Sequence, residues 1–170
     1  MSFEYRFDAY KAIEVLVYIA KKIPDVYRAL KVLYFADKEH LGQYGRLICG
    51  DSYVAMSHGP VPSGAYDLVK IARGDSFNFI DIPVHEAFVV QGNNIITQRE
   101  ANLELLSESD IECLDAAIQQ YGALSFSELR ERSHDLTFAS ADENDFISLD
   151  AIINSLPNSE ALLEYVMAKT

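Results

Sequence analysis

The chain contains no tryptophan, only two cysteines, no long apolar run, and only three basic residues after Arg99. The cysteines, Cys49 and Cys113, lie far apart and form no zinc-type pair. That spacing argues against a disulfide framework and reads as two unoxidised thiols in a reducing cytosol. A bilayer span needs roughly 20 consecutive apolar residues, and no segment approaches that, so no membrane partner is expected. Residues 1–23 also lack a basic region followed by an apolar core. They are punctuated by Glu4, Arg6, Asp8, Lys11 and Glu14, and the expectation is a cytoplasmic protein rather than a secreted one. No G-x-S-x-G, no H-E-x-x-H and no local cysteine-nucleophile signature is present, so the commonest hydrolase and zinc-protease patterns are missing.

The scarcity of base is confined to one part of the chain. Through Arg99, 11 acids balance 11 bases; from Glu100 onward, 15 acids face only Arg130, Arg132 and Lys169. The whole net charge of −12 therefore resides in the last 71 residues. Nucleic-acid affinity is built largely from lysine and arginine contacts to phosphate, so such a surface disfavours nucleic acid and anionic membranes. It favours solvation, or a basic protein partner.

What the chain does contain is the balance of a folded protein, with 49% hydrophobic and 24% charged residues. At this length a single domain buries about 70% of its unfolded surface. Asp8 is placed to cap a helix whose apolar residues Ala9, Ala12, Ile13, Leu16 and Ala20 recur at helical spacing. Asp25 is placed to cap a second, running to Gly45, whose apolar stripe includes Asp37. Ser52 to Met56 reads as a short strand. Ser57 to Pro62 then reads as a turn into a third helix, capped by Ser63 and ending near Gly74. Ala87 to Val90 and Ile95 to Thr97 flank Gln91-Gly92-Asn93-Asn94 and predict a hairpin. Ser107 with Asp110, and Ser125 with Glu128, are capping-box signatures for two later helices. A closing helical pair, Leu149 to Leu156 and Ser159 to Lys169, is divided by Pro157. The expected fold is an α-dominated α+β single compact domain over 1–170, with one small β-hairpin or short sheet.

The segment 36–70 is unusual. It holds five of the eight glycines and two of the five prolines, interleaved with Asp37, His40, Tyr53, His58 and Tyr66. Asp37 and His40 are three apart on one helix, so a carboxylate could orient an imidazole as in a general-base pair, with His58 approaching in space. That set opens one alternative, a small metal-dependent or hydrolytic enzyme. The other reading makes these side chains a structural network that satisfies buried polar groups. Gly59-Pro60-Val61-Pro62 is a poor phosphate cradle, because Pro60 and Pro62 have no N–H to donate. A helix-turn-helix around Ser125 to His134 with the hairpin as a wing would have only Arg130 and Arg132 as phosphate contacts.

The series K-V-L-Y-F-A-D-K-E-H-L at Lys31 to Leu41, Y-G-R-L-I-C-G-D-S-Y-V-A-M at Tyr44 to Met56, and H-G-P-V-P-S-x-x-Y-D at His58 to Asp67 resembles the Panacea domain of SocA-like antitoxins, a family also described among phage-associated proteins. E-L-R-E-R-S-H-D at Glu128 to Asp135 resembles the family's helix leading into a Ser/Thr-His pair. The family commonly follows that histidine with an aromatic, often tryptophan. Here Leu136-Thr137-Phe138 follow, with Phe138 the stand-in. The resemblance implies a type II antitoxin that neutralises a cognate protein toxin by direct binding, and in one branch of the family an adaptor delivering its toxin to an AAA+ protease. It also implies a Panacea-like core over 8–135 and an acidic C-terminal helical extension over 136–170 packed on it. The toxin is expected to be basic. Asp37, His40, Tyr53, His58, Gly59, Pro60, Pro62 and Tyr66 are then scaffold or partner-binding residues, with no catalytic residue, metal ligand or cofactor expected. A phage-encoded regulatory or nucleic-acid-associated protein is a second alternative.

Overall fold

The computed structural model describes residues 6–76 and 81–169, so Glu4 of the amphipathic opening lies outside the described residues. The centre of the molecule is α2 (Val26–Tyr44), preceded by α1 (Ala9–Ala20). Both start where the sequence places a carboxylate. Asp8 accepts from the Lys11 amide at 3.0 Å and Asp25 from the Arg28 amide at 2.8 Å, satisfying amides that have no partner inside the helix. Gly45, with φ of +79°, ends α2 in the left-handed conformation that only glycine adopts without strain.

Two antiparallel strand pairs follow where the sequence predicts one. β1 (Tyr53–Met56) pairs with β2 (Gly59–Pro62) in the register Tyr53↔Pro62, Val54↔Val61, Ala55↔Pro60 and Met56↔Gly59. The expected turn therefore shrinks to Ser57-His58, and Gly59 to Pro62 is a strand. Two prolines are tolerated there because β2 is an edge, where no neighbouring strand asks for their missing N–H groups. Ser63 opens α3 (Ser63–Arg73) but is not its cap. The helix begins without a local side-chain cap, and Asp51 accepts from the Gly64 and Ala65 amides at 2.7 and 2.9 Å instead. A carboxylate twelve residues before the helix thus replaces the local hydroxyl.

A short turn of helix, α4 (Val84–Ala87), leads into β3 (Phe88–Gln91) and β4 (Asn94–Thr97), the hairpin that Gly92-Asn93 closes. Its tip is docked: the Val26 amide donates to the Asn93 carbonyl and the Ile95 amide to the Pro24 carbonyl, each at 2.7 Å. The segment that a winged reading would send to DNA is held on the α1–α2 junction. After a 3₁₀ turn at Leu103–Leu105, α5 (Glu108–Tyr121) and α6 (Phe126–Ser133) each start with the predicted capping box, Ser107 with Asp110 and Ser125 with Glu128. A brief α7 (Leu136–Ala139) precedes α8 (Leu149–Asn154) and α9 (Ser159–Lys169).

The apolar interior forms two clusters, each of which includes side chains of α2. The larger one joins α1, α2, α3, α5 and the β3–β4 hairpin, with Leu16, Ile19, Leu33 and Leu114 fully buried. The smaller one gathers Tyr34, Leu41, Tyr53, Ile147, Ile153 and Leu162, so the closing helices pack on α2 through side chains of their own. Between α7 and α8 the chain runs as a strap along the free edge of β1. The Ala55 amide donates to Asp145 O, the Asn144 amide to Ala55 O and the Ile147 amide to Tyr53 O, at 2.9, 2.6 and 2.8 Å. Among the described residues no helix is long and apolar enough to cross a membrane.

Candidate functional site

The polar residues of the 36–70 segment separate into three environments. Asp37, on the buried face of α2, is 1% exposed. Its Oδ1 accepts from the Ile48 amide at 2.8 Å and its Oδ2 from the Tyr53 hydroxyl at 2.6 Å. Burial pushes the carboxyl up to about 7, against the pull of those two hydrogen bonds. Tyr53 packs edge-on to Tyr34 at 5.2 Å, and the Tyr34 hydroxyl donates to Asp135 at 2.8 Å. Asp135 also receives Lys38 at 3.2 Å. One line of contacts therefore runs from the post-α2 loop through β1 to the start of α7.

His40 belongs to a different network. Its Nδ1 lies 2.8 Å from the Arg46 carbonyl, which can only accept, so the ring proton sits on Nδ1 and Nε2 accepts from the Ser109 hydroxyl at 2.9 Å. Burial lowers its affinity for a second proton. Beside it Asp110, fully buried, meets Lys11 at 2.7 Å and Arg46 at 3.0 Å. Burial works to raise the Asp110 carboxyl, but the bonds from Lys11 and the Ser107 amide prevail and hold it below the usual range. Helix α5 is thereby clamped to α1 and α2.

His58 and Tyr66 occupy the third environment, a cleft of about 460 Å³ between α2, the β1–β2 turn, α3 and α6. Tyr27, Leu30, Met56, Val61 and Phe126 supply its apolar walls. The His58 ring stands edge-on to Phe126 at 5.8 Å, and Lys70 lies over the Tyr66 ring at 5.1 Å. Arg130 donates from Nε to His58 Nδ1 at 3.2 Å. Gly59, at φ +113°, and the two prolines are buried beneath this turn, and the Pro60 carbonyl accepts from Lys31 Nζ at 3.0 Å.

Asp37, His40 and His58 do not come together. Each makes hydrogen bonds to a separate set of partners, and no group of three metal-capable side chains is found among the described residues. The convergent pocket that the hydrolase or metal alternative requires is not built by this trio. Cys49 and Cys113 are free and buried, with burial pushing both thiols up, Cys113 to about 11, which leaves them poor nucleophiles. Two residues that matter here escape a reading of the sequence. Asp51 acts across twelve residues on a helix start, which no local pattern signals. Lys31 sits between Leu30 and Leu33 on the apolar stripe of α2, and that position was the available clue to its burial.

The model of the family "Antitoxin SocA-like, Panacea domain" matches residues 30–139, about two thirds of the chain. The matched stretch begins on α2 and ends with α7, so it contains Asp37, His40, His58 and Tyr66 with most of their partners, Lys11 and Tyr27 preceding it, and it stops before the strap along β1. No curated protein and no solved structure matches the chain.

Proposed function

Because the chain belongs to the SocA-like antitoxin family with a Panacea domain, we propose that it is the antitoxin of a type II pair and neutralises a protein toxin by binding it directly. Family membership is the observation that carries this reading. The distribution of buried and exposed residues supports a division of labour within it. Asp37, Tyr53, Gly59, Pro60 and Pro62 are buried and brace the matched core. The strap lies beyond that core and presents Phe146, 68% exposed, among Asp142, Glu143 and Asp145.

An exposed aromatic within an acidic rim is the composition of an interface centre, where aromatic anchors carry much of the affinity and rim charges set the encounter. A basic toxin offering an apolar pocket fits that surface. Masking a toxin needs on the order of 1,600 Å² of total buried area. The cytoplasm is the compartment this reading requires.

The test is co-expression with the product of the neighbouring open reading frame. Expressed alone, that product should arrest growth; with this chain present, growth should resume and the two should co-purify. No arrest, no rescue, or no complex overturns the proposal. A complex whose toxin disappears only when an AAA+ protease is active would assign the adaptor mechanism instead of masking.

A further inference from the structure

Four nitrogen-bearing side chains converge around Gly59, and none of them makes an ion pair with a carboxylate among the described residues. Lys31 is 3% exposed, and its ammonium has one hydrogen-bond acceptor among the described residues, the Pro60 carbonyl. Asp135, the acid whose charge acts on it, is already paired with Lys38. Arg130 spends its guanidinium on His58 Nδ1 and the Ser57 carbonyl and makes no ion pair among the described residues. His134 stacks on Phe138 at 4.4 Å, and its buried Nε2 has no hydrogen-bond partner among the described residues.

Gly59 allows this crowding: a Cβ there would lie 2.7 Å from both Lys31 Nζ and Ser133 Oγ, and 3.4 Å from the His134 ring. In a chain of net charge −12 a basic cluster without its own ion pair is unexpected. A buried cation is costly unless something pairs with it. Burial, followed by repulsion from Arg130, already pushes the Lys31 ammonium down to about 8, against the pull of Asp135.

The cluster adjoins the aromatic cleft, whose lining includes both Lys31 and His58. Its volume of about 460 Å³ lies within the range of small-molecule sites. His58 accepts at Nδ1, so its remaining proton is on Nε2, a further donor at the cleft. Lys31 keeps two N–H groups beyond the one given to Pro60.

We propose that this cleft binds a small ligand with a flat apolar body and one carboxylate, the body between Tyr27, Tyr66 and Phe126 and the carboxylate against Lys31, with His58 at the rim and Arg130 bonded to it. The burial of Lys31, whose side chain still lines the cleft, selects a small molecule over a protein surface. A single carboxylate matches one buried ammonium. The site is independent of toxin binding, so its failure leaves the antitoxin reading untouched.

The test uses the full chain, amide-resolved NMR, and two probes of the same shape, naphthalene-2-carboxylate and the uncharged naphthalene-2-carboxamide. The carboxylate should give saturable shifts at Ser57, His58 and Tyr66. The carboxamide should bind at least about tenfold more weakly, the ratio expected for one charge-assisted hydrogen bond. Lys31→Met should bring the carboxylate down to the carboxamide's affinity. Should that variant fail to fold, Arg130→Gln, half-buried and bonded to His58, should weaken the carboxylate selectively. Equal affinity for the two probes, shifts centred elsewhere, no shift at millimolar probe, or an unchanged Arg130→Gln overturns the site. Naphthyl phosphate binding more tightly than the carboxylate would overturn the ligand class.

Discussion

The Tyr53 hydroxyl donates to Asp37 Oδ2 at 2.6 Å, joining the first residue of β1 to the middle of α2 inside the smaller core cluster. Asp37 also holds the Ile48 amide, so one carboxyl fixes both the loop leaving α2 and the strand that follows it. Asp37→Ala leaves a buried hydroxyl and a buried amide unpaired and should cost about 3 kcal/mol, taking roughly 1–3 for each stranded group. Asp37→Asn can accept from Ile48 and donate to Tyr53, and should cost less than half as much. Urea unfolding of the two variants checks this; equal losses would mean that the carboxyl does not organise the loop.

The same carboxyl has a pH signature. Its folded pKa is raised to about 7 from an ordinary value of 3.8. Between those values the native state holds a proton that the unfolded chain has released, so this group's contribution to stability falls as pH rises from about 4 to 7. Asp37→Asn removes that dependence. The difference in unfolding free energy between wild type and Asp37→Asn should therefore shift against the wild type across that window, and parallel curves would refute the assignment.

Asp110 behaves in the opposite sense. Its pKa is depressed, so its stabilising effect is present above about pH 4 and is lost as pH falls through the folded value. Lys11→Met removes its closest cation and should cost roughly 2–3 kcal/mol at neutral pH. The penalty should shrink once acid protonates Asp110. A penalty of the same size at pH 3 and pH 7 would show that Lys11 acts by packing alone.

Asp51 is the cap of α3 from a distance, and Asp51→Ala should cost about 1–2 kcal/mol with the loss concentrated at the helix start. Hydrogen exchange at Gly64 and Ala65 reads this directly. Unchanged protection at those amides would show that Ser63 or solvent suffices.

Phe146→Ala tests the proposed toxin surface without disturbing the fold. The side chain is 68% exposed, so the melting temperature should move by no more than about 2 °C, while affinity for the toxin should drop by about tenfold or more. Full neutralisation by the variant would move the interface off the strap.

Much of this architecture is legible in the sequence because its signals are local. Asp8, Asp25, Ser107 and Ser125 cap the helices they precede, and Gln91 to Asn94 closes the hairpin it predicts. Gly59 to Pro62 misleads for a physical reason. Its composition is that of a turn, and only pairing with Tyr53 to Met56, on an edge that needs no proline N–H, makes it a strand. The 36–70 segment is readable as one functional unit only in part. Asp37, Tyr53 and His40 are neighbours in sequence order, but their hydrogen bonds reach Ile48 and Ser109, and His58 turns toward Arg130 from a helix 72 residues later. Such long-range partners leave no periodicity for a sequence to display.

The strap along β1 has a consequence for how this surface can change. Its attachment is made by main-chain groups of residues 144, 145 and 147, which are indifferent to side-chain identity. Two positions are nonetheless committed: Asn144 adopts a φ of +67°, and Ile147 is buried. The side chains of residues 142, 143, 145 and 146 stay exposed beside that edge and are not spent on holding it. That stretch works as a mounting rail, on which recognition chemistry can be exchanged one residue at a time while the scaffold beneath it stays folded.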